Sequence, residues 1–266
     1  MGLGLFGGGE AVARHLAGCG AKVLVTDLRE ASELEPSLEN LQPLLDSGCI
    51  TTCLGQHRIE DFATADIVIV NPGVPHPWRN PFIQAAQSNS ARLLSEMRIA
   101  IGNTPASQVI GITGSQGKST TSAMVHHLLA ALRPELRPRL GGNIGGSLLD
   151  NPPDLESSLV LELSSFMLHW LATDAIAETD RFTPGTAVMT NLSANHLDWH
   201  ETFEHYAASK SAICAATPAC ASPQLVRPED HLVDAINSTL TLAIPGEHNL
   251  ENARLAVFTV LTHLQI

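Results

Sequence analysis

Basic residues are scarce in this sequence relative to acidic ones. The 266 residues include 15 lysines and arginines against 27 aspartates and glutamates, which gives a formal net charge of -12. A protein that binds nucleic acid along its backbone needs a basic surface that displaces counterions from the phosphates. The charge balance therefore excludes nucleic acid as the main partner, and any phosphate binding must be local.

Long apolar runs and paired cysteines are missing as well. No stretch reaches the roughly 18 apolar residues that a membrane span needs, and the N-terminus lacks the layout of a signal peptide. Without a C-x-x-C pair, the cysteines are typical of isolated thiols in a reducing compartment, and neither a disulfide framework nor a zinc site is expected from them. We expect a cytoplasmic protein without a membrane partner. The cysteines are Cys19, Cys49, Cys53, Cys214 and Cys220.

Apolar residues, at 44% of the chain, are sufficient for two packed cores. Strand-like and helix-like runs alternate, which predicts an α/β protein with parallel sheets. An interruption at residues 101–107 predicts a domain boundary, with domains at 1–101 and 102–266. The predicted strands are 22–26, 66–70, 109–113, 158–163 and 186–190. The predicted helices are 10–19, 38–45, 81–87, 118–132, 203–215 and 249–264.

The most informative segment, GITGSQGKSTT, begins at Gly111 after a short apolar run and continues into an amphipathic stretch. A strand, a glycine-rich turn and a helix N-terminus present backbone N–H groups to an anion. Lys118 adds a positive charge, and the hydroxyl of Ser119 or Thr120 can bind Mg²⁺. The common P-loop has glycine where Ile112 stands, so the pattern here is G-x-x-G-x-x-G-K-[ST]. We predict that this loop binds a nucleoside triphosphate and is not an ordinary turn.

A second glycine-rich turn, GLGLFG, begins at Gly2, and Asp27 follows Gly7 by about twenty residues. This pattern fits a dinucleotide fold, in which an acid at a strand end binds a ribose. It also fits another nucleotide, because a helix N-terminus binds any pyrophosphate, or a turn that merely allows close packing. The loop NPGVP, residues 71–75, follows a predicted strand and either faces the same pyrophosphate or is a plain turn.

Further polar residues are candidates for chemistry. Glu162 ends an apolar strand, where a carboxylate binds Mg²⁺, is simply a strand-end acid, or lies in the N-cap region of the next helix. His196 follows another strand-like run. His200 and His205 lie nearby, but their spacing places them on different faces of one helix, so zinc is not expected. Lys210, on a predicted helix, is by default a solvated surface residue.

Two asparagines are candidates for ligand binding, but each also has an ordinary structural explanation. Asn143 lies in the glycine-rich GGNIGG loop, which either approaches a ligand closely or is a turn. Asn249 opens the predicted last helix, where it is equally plausible as the N-cap.

The order of these segments resembles the Mur ligase family. GITGSQGKST is followed by GGNIG, LELSSF, NLSANHLD, ASKSAI and GEHNLENA, while the GLGLFG turn, the VTD at Asp27 and the NPGVP loop resemble that family's UDP-binding domain. The resemblance covers about residues 2–264 and favours members that join D-glutamate to UDP-N-acetylmuramoyl-L-alanine, using ATP and Mg²⁺. It implies a Rossmann-like N-terminal domain, a P-loop ATPase-type domain and a monomeric ligase of peptidoglycan precursor synthesis. The resemblance therefore disfavours NAD as the ligand of the GLGLFG turn.

The resemblance also implies roles for individual residues. The catalytic residues would be Lys118, Glu162, His196 and Lys210, and Mg²⁺ would be held by Ser119, Glu162, His196 and a carbamylated Lys210. ATP would be bound by Gly114, Ser115, Gln116, Gly117, Lys118, Ser119, Thr120, Asn249 and Asn252. The UDP substrate would contact Leu5, Phe6, Asp27, Gly73, Asn143 and Ser164.

The sequence departs from the family pattern in several places. Asn195 and Trp199 stand where the family usually has an aspartate and an arginine. Without the aspartate the metal histidine would be oriented less firmly, and without the arginine a positive charge near the nucleotide would be missing. We expect that both ends of the sequence are truncated. GLGLFG should follow a strand that the sequence does not contain, and the family's third, C-terminal domain, which binds D-glutamate, would be missing. The alternatives are a catalytically silent nucleotide-binding remnant and a ligase similar to folylpolyglutamate synthase.

Overall fold

The computed structural model describes residues 1–5, 7–214, 224–226 and 245–266, which divide into two compact units. The first unit contains Met1–Gly102 and two short segments from later in the chain, Gly146–Pro152 and Asp174–Asp180. The second contains Asn103–Gly145, Pro153–Thr173 and Arg181–Ile266. The assignment of UDP-substrate binding to domain 1–101 and ATP binding to domain 102–266 stays a prediction.

The first unit contains two pairs of short parallel strands, in which the first strand pairs with the second and the third with the fourth. These strands are β1 (Val23–Asp27), β2 (Ile50–Leu54), β3 (Ile67–Ile69) and β4 (Arg92–Leu94). Its helices are α1 (Gly8–Gly18), α2 (Glu35–Asp46), α3 (Ile59–Ala63), α4 (Pro81–Ser88) and α5 (Glu96–Ile101).

The first residues of the chain connect these two strand pairs. Gly2 N donates to Thr26 O at 2.8 Å, and Asn71 N donates to Met1 O at 3.0 Å. Leu3 packs in the same apolar core as Val25 of β1. Residues 1–3 therefore satisfy backbone groups on both neighbours, as an inserted strand would.

The second unit is built on a five-stranded parallel sheet, in the order β6-β7-β5-β8-β9. The strands are β5 (Val109–Thr113), β6 (Arg139–Gly142), β7 (Leu159–Glu162), β8 (Thr186–Met189) and β9 (Gln224–Val226). The helices are α6 (Lys118–Leu132), α7 (Ser165–Ala172), α8 (Leu197–His200), α9 (Phe203–Ser211) and α10 (Glu247–Leu264). Helices α6 and α10 contribute Val125, Leu129 and Ala256 to a core against the sheet, as expected for parallel strands covered by helices.

The predicted α/β fold class is confirmed, because strands alternate with helices along the chain and pair in parallel sheets. Among the helices of the described residues, none has the length and apolar content needed to cross a membrane.

Candidate functional site: the phosphate loop and its neighbours

The phosphate loop follows the central strand of the five-stranded sheet. All residues of β5 are buried, because the strand lies between β7 and β8 and is covered on its faces. The chain turns through Gly114 (φ 145°) and Gly117 (φ 78°), values that L side chains rarely adopt, and α6 begins at Lys118. The result is a strand, a glycine turn and a helix N-terminus in the order that favours binding of an anion.

Lys118 lies at the first position of α6, and its Nζ donates to Ser115 O at 3.1 Å. The ammonium group is therefore held over the loop rather than extended into solvent. Ser119 is exposed and Thr120 is half-buried, so both hydroxyls lie near the surface of the helix N-terminus. Their predicted roles toward ATP and Mg²⁺ stay predictions.

Glu162 is the last residue of β7, beside Ile112 of β5 and therefore next to the start of the phosphate loop. Its side chain is 1% exposed. One carboxylate oxygen accepts a hydrogen bond from Asn143 Nδ2 at 3.2 Å, while Oε2 is buried without a hydrogen-bond partner in the described part of the chain. A buried carboxylate oxygen without a partner is costly unless a cation or donor reaches it.

Asn143 contacts this carboxylate in space, and Ser164 follows it by two residues in the sequence. Asn143 N also donates to Glu162 O at 2.9 Å, so both amides of Asn143 contact Glu162. Ser164 is the N-cap of α7, because its side chain accepts a hydrogen bond from Met167 N. The N-cap after LEL is thus Ser164 and not Glu162. Contacts of Asn143 and Ser164 with a substrate stay predictions.

Lys210 is buried, and the default expectation of a solvated surface lysine is wrong. Only 2% of it is exposed, and Nζ donates to Thr113 Oγ1 at 3.2 Å and Gly114 O at 2.8 Å. Burial first, and then the positive charge of Lys118, lower the pKa of Lys210 to about 7, although Glu162 opposes the shift. The amine therefore lies against the phosphate loop with a substantial neutral fraction near neutral pH.

His196 is exposed, with φ 51°, and its ring lies against Phe166 at 5.0 Å between centroids. The prediction that His200 and His205 lie on different faces of one helix is wrong. Glu201 (φ 65°) separates α8 from α9, and the two Nδ1 atoms are 3.0 Å apart. Burial, and then the neighbouring imidazoles and Lys210, lower the pKa of His200 to about 3, so this imidazole is neutral.

The C-terminal asparagines lie at the start of α10. Asn249 is not the N-cap: the helix begins at Glu247 after Gly246, and Asn249 Nδ2 donates back to Pro245 O at 2.8 Å. Asn252 contacts the phosphate-loop helix, because its Oδ1 accepts from Thr121 Oγ1 at 3.4 Å and lies 2.5 Å from where a Cβ on Gly117 would be. The structure thus places Asn252 against the loop, and the predicted contacts of Asn249 and Asn252 with ATP stay predictions.

The first unit brings the two N-terminal motifs together. Asp27, 3% exposed, accepts from Gly4 N at 3.2 Å. Asn71 Nδ2 donates to Gly2 O at 3.3 Å, and Asn71 Oδ1 accepts from Gly73 N at 2.9 Å, so one side chain links the glycine turn to the NPGVP loop. Leu5 is 56% exposed, and the predicted contacts of Leu5, Asp27 and Gly73 with the UDP substrate stay predictions. Phe6 lies outside the described residues.

A Mg²⁺ ion fits this donor set in a limited way. Among the described residues, no group of three or more histidine, cysteine, aspartate or glutamate side chains is placed to hold a metal. Mg²⁺, however, commonly binds one or two carboxylates together with substrate phosphates and water. The unpartnered oxygen of Glu162, beside an anion-binding loop, fits that mode, whereas the amine of an unmodified Lys210 offers no oxygen ligand.

Several residues in the candidate regions of the two units could not be predicted from the sequence. Asn191 and Tyr206 bond to Gln116 and Ser115 of the phosphate loop, and Gly9 packs so closely on Leu3 that a Cβ would lie 2.2 Å from its carbonyl oxygen. Only the glycine carries a local signal, in the run Gly7-Gly8-Gly9.

A parallel sheet with a glycine loop leading into a helix defines the second unit as a P-loop ATPase-type domain. Two family models match the chain: the Mur ligase MurD-like N-terminal domain at residues 1–95 and the Mur ligase middle domain at residues 112–233. The chain therefore belongs to the Mur ligase family.

Individual relatives agree with this family. A UDP-N-acetylmuramoylalanine–D-glutamate ligase of Roseiflexus sp. (strain RS-1) is 38% identical over 215 residues, which cover 80% of this chain and 43% of the relative. The namesake from Streptococcus agalactiae serotype III (strain NEM316) is 40% identical over 214 residues, 78% of this chain and 43% of that protein. The alignments thus span less than half the length of these relatives.

The fold is shared with a solved ligase. The crystal structure of UDP-N-acetylmuramate:L-alanyl-gamma-D-glutamyl-meso-diaminopimelate ligase from Neisseria meningitides matches with a TM-score of 0.59 and 19% identity, covering 100% of this chain and 92% of that one. At this identity the match supports the fold and nothing finer.

Proposed function

We propose that this chain forms the UDP-substrate-binding and ATP-binding part of a ligase that adds D-glutamate to UDP-N-acetylmuramoyl-L-alanine. The observation that carries the proposal is the convergence of Glu162 and Lys210 on the phosphate loop: Glu162 neighbours Ile112 in the sheet, and Lys210 donates to Gly114 O. The named relatives, at 38% and 40% identity, support the choice of D-glutamate as the amine.

The proposed reaction has two steps. The substrate carboxylate attacks the γ-phosphate of ATP, giving an acyl phosphate and ADP, and the amine of D-glutamate then displaces phosphate to form an amide. Mg²⁺, when bound, would neutralise charge between the two anions that must approach. Lys118 adds positive charge at the transferring group, and the amides of the glycine turn and the start of α6 orient the phosphates.

Glu162 and Lys210 define the predicted metal site. Glu162 would use its unpartnered oxygen, and His196 would be a further ligand. The lowered pKa of Lys210 supports its carbamylation, because the neutral amine is the nucleophilic form. In this step the neutral amine would add to CO₂ and release a proton, so that a carboxylate replaces a buried positive charge.

The match of residues 1–95 to a MurD-like N-terminal domain favours a UDP-muramoyl substrate over the folate substrate of the folylpolyglutamate-synthase alternative. A nucleotide-binding remnant without turnover is separated from a ligase by experiment. Hydroxylamine traps an acyl phosphate directly, so the first step can be assayed without D-glutamate. We expect hydroxamate and phosphate when the chain is mixed with ATP, Mg²⁺ and UDP-N-acetylmuramoyl-L-alanine.

Binding of ADP by calorimetry is measured in parallel. Lys118→Ala should abolish it, and Lys22→Ala is the matched control, because Lys22 is exposed and lies in the first unit. ADP binding without hydroxamate would support the remnant. No ADP binding by the unaltered chain, or equal binding by Lys118→Ala, would refute the proposal.

A further inference from the structure

The segment that follows β8 holds the phosphate loop through one asparagine side chain. Asn191 Oδ1 accepts from Gln116 N at 2.9 Å, and Asn191 Nδ2 donates to Gln116 O at 3.1 Å. A single carboxamide therefore pairs with both polar groups of one loop residue, as a neighbouring strand would. This pairing fixes the orientation of the backbone N–H and C=O groups of Gln116.

Further hydrogen bonds run between the same two segments. Ser115 N donates to Asn191 O at 3.0 Å, and Thr190 Oγ1 donates to Gln116 O at 2.6 Å. Ser115 Oγ donates to Ser193 O and accepts from Ser193 N, each at 2.9 Å. Residues 190–193, which we term the brace, thus contact both polar residues at the tip of the loop.

The brace also leads to the predicted metal-site histidine. His196 follows Ser193 by three residues, so the brace and His196 belong to one short stretch of backbone. Because the Gln116 N–H is engaged by Asn191, the N–H groups left to face a phosphate are those of the residues that follow, at the start of α6.

We propose that Asn191 is a positioning residue, which sets the geometry of the phosphate loop for nucleotide binding and ties the loop to the segment that carries His196. This inference rests on the proposed function, since it assigns Asn191 to the same nucleotide site. Asn191 is itself exposed, so its hydrogen bonds contribute little to the folding of the core. Its loss should act on the site more than on stability.

Asn191→Ala tests the proposal through nucleotide affinity. Loss of two hydrogen bonds that preorganise the loop should weaken ADP binding by about tenfold, with a small change in the melting temperature. Asn103→Ala is the matched control: Asn103 is exposed, lies in the second unit and is outside both segments, so its affinity should equal that of the unaltered chain. Equal ADP affinity of Asn191→Ala and the control would overturn the proposal.

Amide hydrogen exchange of the nucleotide-free chain gives a second readout that does not depend on the proposed function. Exchange at the Gln116 N–H should rise in Asn191→Ala and stay slow in Asn191→Asp, because aspartate keeps the acceptor. Asn191→Asp should still weaken ADP binding, since it adds a negative charge and loses the donor. If the unaltered chain binds no ADP, the proposed function fails, but amide exchange still tests whether Asn191 holds the phosphate loop. Unchanged exchange at the Gln116 N–H in Asn191→Ala would refute the positioning role of Asn191.

Discussion

Replacing Gly117 with alanine perturbs the phosphate loop in two separable ways. At φ 78° an alanine is in the left-handed region, which costs roughly 1–2 kcal/mol. Its Cβ would also lie 2.5 Å from Asn252 Oδ1, which is closer than real Cβ contacts, so Asn252 must move. Moving it breaks its hydrogen bond with Thr121 Oγ1, which contributes about 1 kcal/mol.

We therefore expect Gly117→Ala to lower the free energy of unfolding by roughly 2–3 kcal/mol. In an Asn252→Ala background the overlap and the hydrogen bond are already absent, so the same change should lower it by only roughly 1–2 kcal/mol. Urea denaturation of the unaltered chain, the two single variants and the double variant, followed by circular dichroism, gives both numbers. Nucleotide affinity should fall in every variant that carries Gly117→Ala.

Gly146→Ala isolates the backbone contribution. Gly146 has nearly the same φ, 76°, but a Cβ there would meet nothing within 4 Å. Its effect should match that of Gly117→Ala in the Asn252→Ala background, read from the transition of the first unit. If Gly117→Ala has the same effect with and without Asn252, the close contact between these residues is not what makes glycine necessary, and the reasoning fails.

Three further predictions concern charge and capping. Burial raises the pKa of Glu96 despite its hydrogen bond from Ser147. The stability contributed by the protonated carboxyl group is therefore present at low pH and lost as pH rises through the folded-state pKa. Glu96→Gln should stabilise the chain more at pH 7 than at pH 4 in thermal denaturation, and an equal effect at both pH values would contradict this. Ser164→Ala removes the N-cap of α7 and should lower the free energy of unfolding by about 1 kcal/mol, whereas Ser164→Asp should not. Lys210→Ala should lose turnover and regain it with added short carboxylic acids, which supply the missing carboxylate; a folded variant without rescue would count against carbamylation.

The long, buried or strongly patterned elements were predictable from sequence. The strand Val109–Thr113 and the helix Lys118–Leu132 match their predicted bounds, because an apolar run, a glycine turn and an amphipathic stretch leave little choice between helix and strand. The short strands Ile50–Leu54 and Arg92–Leu94 were missed. The pattern ITTCL has exposed threonines in the middle, and RLL is too short to show a period.

The site was predictable where one residue carries its own chemistry, and not where tertiary contacts decide. Lys118 stands out because it follows a glycine turn at the start of a helix, and Glu162 because it is an acid at a strand end. Burial of Lys210 depends on contacts with Thr113 and Gly114, about a hundred residues earlier, and nothing in YAASKSAI encodes them. The closeness of His200 and His205 depends on the break at Glu201, where a non-glycine residue adopts positive φ that helix periodicity does not predict.

Trp199 shows how a departure from the family pattern can leave the local architecture intact. Where a cation is expected, the indole is 4% exposed and lies 4.7 Å from the ring of Phe166 on α7 and 6.1 Å, nearly parallel, from that of His205 on α9. These contacts fix α8 between its neighbours by burial of aromatic surface rather than by charge. His196 precedes α8 directly and also packs on Phe166, so its position is set by the same aromatic cluster. The aromatic contacts therefore keep the support of the predicted metal ligand without a cation at this position, and we expect any effect on activity to come from the missing charge rather than from folding.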